Sequence, residues 1–136
     1  MYTSTDSFET PPESIFFEDN RVYVALAHHA ITEGHTVVVW KGDAADISKL
    51  STNDYEYLMD VVDVARNSLK KQFGVEKVYL LYFDEAQHVH WHLIPRYIEK
   101  GFAALQHEPV VLSVFPHVPV LRMVFAENHT RMLLEN

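Results

Sequence analysis

Residues 88–96 read HVHWHLIPR, with three imidazoles at alternate positions and large apolar residues between them. In an extended strand successive side chains point to opposite faces, so His88, His90 and His92 form a row while Val89, Trp91 and Leu93 face the other way. An ordinary half-exposed strand also alternates. Here, however, three of the nine histidines fall within five residues, and histidine is neither a strong strand former nor the usual polar filler. We therefore read the row as functional, with two chemistries open to it. One is metal binding. Neighbours in the row are about 7 Å apart at Cα and the outer pair about 13 Å, against zinc–nitrogen bonds of about 2.1 Å. Two neighbours could share an ion with a ligand from elsewhere, His35 being the natural choice, but one histidine is then left without a use. The other chemistry is nucleophilic catalysis. A neutral imidazole attacks a phosphoryl or acyl centre near pH 7 when its second nitrogen donates a hydrogen bond that fixes tautomer and direction. In that scheme His90 attacks and its two neighbours support it, so the whole row is used.

The elements that must hold this row are legible on either side of it. RVYVALAH and HTVVVW read as adjacent antiparallel strands joined through AITEG, with Gly34 at the bend. KGDAADISKL enters a short helix that Asp43 or Asp46 caps. Segment 51–74 is the clearest helix, because Tyr57, Leu58, Val61, Val62, Ala65, Leu69 and Phe73 share one face. Ser51 or Thr52 caps its start, Asp54, Glu56, Lys70 and Lys71 complement its dipole, and Gly74 terminates it. VEKVYLLYF is a strand, DEAQ a turn, and the histidine row the next strand. EPVVLSVF and PVLRMVF read as edge strands bounded by Pro109, Pro116 and Pro119, or else as packed loops.

The whole has the size of one domain: 136 residues, 48% of them hydrophobic. We expect a loosely ordered leader over residues 1–14, a domain over 15–106, and a C-terminal extension over 107–136 with edge strands and a tail. The net charge of −8 argues against nonspecific binding to nucleic acid or anionic membranes. Without cysteine there is no disulfide, thiolate metal site or thiol nucleophile. No stretch approaches the roughly 18 apolar residues of a membrane span, and we expect a soluble, cytoplasmic protein.

HVHWHLI, the Pro95-Arg96-Tyr97 after it, and the upstream AITEGHTVVVWKGDAADISKL, where Gly34-His35 opens a strand and Lys41 closes it, together resemble the histidine triad (HIT) superfamily of nucleotide hydrolases and transferases. The similarity runs over residues 15–97. It implies an α+β, HIT-like fold, an antiparallel sheet of about five strands with one long and one short helix packed on it, commonly paired into a homodimer by joining sheets. It also implies that His90 attacks an α-phosphate and forms a nucleotidyl-histidine intermediate that water hydrolyses. His88 and His92 would flank the reacting group, and His35 would support the row from behind. The substrates implied are phosphoanhydrides and phosphoramidates of nucleotides, dinucleoside polyphosphates among them, and the covalent step requires no cofactor.

Gln87, His28, Lys41 and Arg96 are the candidates for nucleotide or phosphate contact, and Phe16 and Phe17 for a base pocket. Two positions depart from the family pattern. Members commonly carry an aspartate for the ribose hydroxyls eight residues before the histidine matched by His35, where this chain has Ala27. The turn YFDEAQ replaces an asparagine and a glycine-bearing phosphate loop. Its Asp84 and Glu85 face solvent or recruit a divalent metal bridging to phosphate; no metal site made of protein ligands is assigned. Two other readings compete: a non-catalytic nucleotide- or metal-binding protein that keeps the triad, and an interaction protein in which the row is incidental.

Overall fold

The segment with helical periodicity forms α1 (Thr52–Phe73) in the computed structural model, which describes residues 10–84, 87–97 and 109–135. Ser51 Oγ accepts the Asp54 amide at 3.1 Å, and Gly74 ends the helix in the left-handed conformation at φ 65°. Asp46 caps the short 3₁₀ turn Ile47–Lys49 by accepting the Ser48 amide. The apolar stripe of α1, including Leu58, Val61, Val62, Ala65 and Leu69, is buried against a sheet.

That sheet has five antiparallel strands in the order β1-β2-β4-β6-β5. They are β1 (Ile15–Glu18), β2 (Val22–Leu26), β4 (Thr36–Trp40), β5 (Lys77–Tyr82) and β6 (His90–Arg96). A second small sheet pairs β3 (His29–Ala30) with β7 (Val110–Val111). Directly opposed residues of antiparallel strands share a face. Val24 opposes Val38, and Leu26 opposes Thr36, which in turn opposes Leu93. Val24, Leu26, Val38 and Leu93 all sit in the main core under the helices. Ala25 opposes Val37, which opposes His92, and Tyr23 opposes Val39, which opposes His90. These residues take the other face, where Ala25, Ala27, Val37 and Val39 form a separate apolar wall. The sheet thus separates a helix-covered core from a face that carries imidazoles.

The C-terminal segment corrects the sequence reading. PVLRMVF, whose β-branched residues and bracketing prolines read as an edge strand, is helical and belongs to α2 (Val118–Glu135). Val118, Leu121 and Phe125 recur at helical spacing and are its buried residues. Pro119 falls in the first turn, where a missing amide breaks no intrahelical bond. EPVVLSVF contributes only the two residues of β7, and the fifth strand of the large sheet comes from β1 instead. Helix α2 packs on α1 and β1. Its Phe125 ring centroid lies 4.5 Å from that of Phe17 and 6.0 Å from that of Phe16. Both phenylalanines therefore belong to the core rather than to a base pocket. His129 packs on the rings of Phe17 and Phe125. Of the expected leader, residues 1–9 lie outside the described residues, and Pro12–Ser14 form a 3₁₀ turn with Ser14 buried. Glu85 also lies outside them. No described helix is long and apolar enough to cross a membrane.

Candidate active site

His35 reaches the row because of the turn before β4. The His35 amide bonds Thr32 O at 3.1 Å, with Gly34 at the third position of the turn at φ 84°. This is the position that a type II turn reserves for a residue tolerating positive φ. The turn delivers His35 to the same face as His90 and His92, and His35 Nε2 lies 2.9 Å from His92 Nδ1. On the opposite side of the same ring, the Ile31 backbone amide donates to His35 Nδ1 at 3.0 Å.

These contacts fix the protons. A backbone N–H can only donate, so His35 Nδ1 carries a lone pair and Nε2 carries the hydrogen, which it gives to His92 Nδ1. His92 must then hold its own hydrogen on Nε2. The relay Ile31 to His35 to His92 ends in an N–H donor. His90 is set the other way. Its Nδ1 lies 3.1 Å from the carbonyl oxygen of His88, which can only accept, so Nδ1 carries the hydrogen and Nε2 the lone pair in the neutral ring. The rings of His90 and His92 meet edge to face with centroids 5.1 Å apart. His88 lies just before β6 and donates from Nδ1 to Gly42 O at 3.1 Å, so its Nε2 takes no part in that bond.

The electrostatics favour the neutral forms that this scheme needs. Burial, reinforced by the neighbouring His92 ring, lowers the pKa of His35 to about 3. Burial and then the His90 ring lower that of His92 to about 4. In the unfolded chain both rings titrate near 6.5, so below that pH the unfolded state binds more protons than the folded one. Stability is therefore full above about pH 6.5 and is lost as pH falls toward the folded values, by about 1.4 kcal/mol per pH unit for each proton. Urea unfolding between about pH 7.5 and about pH 5 should show this decline, and His35→Asn should remove roughly one proton from the slope. An unaltered slope in the variant would contradict the buried, neutral state of His35.

The remaining sequence candidates are scattered. Gln87 is exposed immediately before His88. His28 follows β2, its ring 4.9 Å from that of His29, and its buried Nδ1 has no hydrogen-bond partner among the described residues. Lys41 Nζ is engaged by Glu18 Oε2 at 2.8 Å and Asp19 O at 2.9 Å, which directs its charge toward β1 rather than the row. Arg96 opposes Lys77 at the far end of β6, about 20 Å along the strand from His90. Asp84 is exposed, 3.4 Å from the Tyr82 hydroxyl. Ala27 is buried in the apolar wall. The metal alternative meets a geometric objection, since the facing nitrogens of His35 and His92 bond each other at 2.9 Å, closer than the roughly 3.4 Å between two nitrogens on tetrahedral zinc. Among the described residues no group of three or more histidine, aspartate or glutamate side chains could hold an ion. Sequence reasoning missed the Ile31 amide and the Gly42 carbonyl, because backbone groups leave no signature in residue types.

Known proteins share the family and the fold. The HIT domain family model matches residues 9–99. An uncharacterised HIT-like protein of Mesomycoplasma hyorhinis is 32% identical over 93 residues, 63% of this chain and 83% of that protein. A HIT family protein from Bacillus anthracis has the same fold at a TM-score of 0.60 and 27% identity, over 90% of this chain and 86% of the other. A Zn-bound histidine triad family protein from Mycobacterium smegmatis reaches a TM-score of 0.68 at 17% identity, over 94% and 91% of the two chains. With the family model matched over residues 9–99, most of its length, and the histidine row on and just before β6, the chain belongs to the HIT domain family.

Proposed function

We propose that the protein is a nucleotide hydrolase or nucleotidyl transferase that cleaves a phosphoanhydride or phosphoramidate bond at the α-phosphate through a nucleotidyl-His90 intermediate. Family membership supports nucleotide chemistry in general. The observation that carries the specific reading is the 3.1 Å contact of His90 Nδ1 with His88 O, which leaves the lone pair on Nε2. In this scheme Nε2 attacks phosphorus and a P–N bond forms as the bond to the leaving group breaks. His92 Nε2–H donates to a non-bridging oxygen, and a proton held at His88 Nε2 passes to the leaving group. The positive charge gained by the His90 ring is stabilised through Nδ1–H against the His88 carbonyl. Water then attacks phosphorus, giving a proton back to His88 Nε2, as the P–N bond breaks, the nucleoside monophosphate leaves and the electron pair returns to His90 Nε2.

No cofactor takes part in this scheme. We assign Gln87 and His28 to ligand contact, with Lys41 and Arg96 contributing at most long-range attraction. The wall at Ala27 offers ribose no carboxylate, so nucleoside selection is loose. Strand β5 ends the sheet with Leu80 and Phe83 exposed, an edge suited to the sheet of a second copy. A homodimer working in the cytoplasm is part of the same proposal. Turnover of adenosine phosphoramidate and of a dinucleoside polyphosphate in ¹⁸O-water tests the reading. We expect one label on the adenylate and none on the leaving group. Label on the leaving group would overturn attack at the α-phosphate, and a nucleotide-induced thermal shift without turnover would point to the non-catalytic binder.

A further inference from the structure

The relay starts at a backbone amide, so its direction depends on the turn that carries that amide. The turn between β3 and β4 is held at Glu33 and Gly34 from three sides. Phe73, at the end of α1, packs beside Gly34, where an added Cβ would meet its ring at 2.8 Å. His117, just ahead of α2, lies 3.7 Å from the Glu33 carboxylate, with its ring centroid 4.9 Å from that of Phe73. Tyr97, the first residue past β6, donates its phenol hydrogen to Glu33 O at 2.8 Å. Pro95, within the strand that bears His90 and His92, also packs beside Gly34, 3.1 Å from an added Cβ, and the Tyr97 hydrogen bond continues from the end of the same strand. Tyr97 bonds the turn's own backbone, two residues from Ile31.

We propose that Tyr97 is a positioning residue of the histidine triad: by holding Glu33 O it aims the Ile31 amide at His35 Nδ1 and so keeps His92 as an Nε2–H donor. The kinetic part rests on the function proposed above; the tautomeric part stands without it. When the Ile31 bond is lost, the His35 hydrogen can move to Nδ1, and Nε2 then turns a lone pair toward His92. To keep their contact His92 must move its hydrogen to Nδ1, which leaves a lone pair on Nε2. A donor facing phosphate oxygens becomes an acceptor, with no change in the net charge of either ring. The phenol suits this task, since it keeps its hydrogen at neutral pH, and burial and then the Glu33 carboxylate push its pKa further up to about 12.

Tyr97→Phe keeps the ring and deletes only the hydroxyl. Long-range ¹H–¹⁵N NMR of the folded protein should show His35 and His92 as Nε2–H tautomers in the wild type and as mixtures in the variant. With an adenosine phosphoramidate substrate, kcat should fall about tenfold while KM stays within about twofold. A lower melting temperature with unchanged tautomers and kcat would show a purely structural role and overturn the proposal. So would a raised KM at unchanged kcat. Should the wild type turn over no nucleotide, the function proposed above fails, while the tautomer comparison still decides the role of Tyr97.

Discussion

Under the proposed mechanism, replacing His90 with alanine should reduce kcat by about 10⁴-fold or more and leave nucleotide affinity within about threefold, because the variant would keep the groups assigned to binding and lose the atom assigned to the reaction. Without Nε2 no P–N bond forms, and water must attack a phosphoanhydride or phosphoramidate unaided. The remaining donors stay in place. The relay Ile31 to His35 to His92 runs through contacts that do not include the His90 ring, and His88 retains its bond to Gly42 O. His90 is only 2% exposed, so truncation also opens a small void. His90→Asn, which refills part of that space, should be as inactive as His90→Ala. Steady-state kinetics with circular dichroism as the folding control make the measurement. A variant that keeps more than about a tenth of wild-type kcat would assign the chemistry elsewhere.

The largest effect on stability is expected at Phe125, far from the row. Its side chain is fully buried, contacting the rings of Phe16, Phe17 and His129. Only Val118 and Leu121 join it among the buried residues of α2. Phe125→Ala removes the ring that packs α2 on Phe16 and Phe17 of β1 and leaves a cavity in the core. We expect a loss of about 4 kcal/mol by urea unfolding. Well below the melting temperature kcat should be unchanged, since the triad lies on the opposite face of the sheet. A loss under about 1 kcal/mol would mean that α2 does not complete the core.

How far the sequence could be read followed from how locally each feature is encoded. Helix α1 announces itself through seven apolar positions on one stripe and through Ser51, Lys70, Lys71 and Gly74 at its ends, all within one continuous segment. The histidine row is local in the same way, and strand alternation alone places Val89 and Leu93 opposite the imidazoles. Helix α2 was read as a strand because PVLRMVF is short and rich in β-branched residues. Its helical spacing shows only when Val118, Leu121 and Phe125 are taken together and a surface for them to pack on is known. Strand β1 has four residues, too few for any period, and exists because β2 offers it a partner. The site divides along the same line. That His35 joins the row follows from a residue pattern, but the direction of its protons depends on the Ile31 amide, which no side chain encodes. Lys41 shows the opposite case: a cation at a strand end that looks available in the sequence is taken by Glu18, a residue 23 positions away that only the fold brings near.

The claim on which this account depends is that His90 forms a covalent bond to phosphorus through Nε2. Rapid acid-sparing quench of the wild-type protein with an adenylylated phosphoramidate, followed by intact-mass and peptide mapping, reads that bond directly. The account predicts a single adenylyl group on the peptide carrying residue 90, bonded at Nε2 and absent from His90→Ala. An adduct on another residue, or wild-type turnover sustained by His90→Ala with no covalent species at any time point, would contradict it.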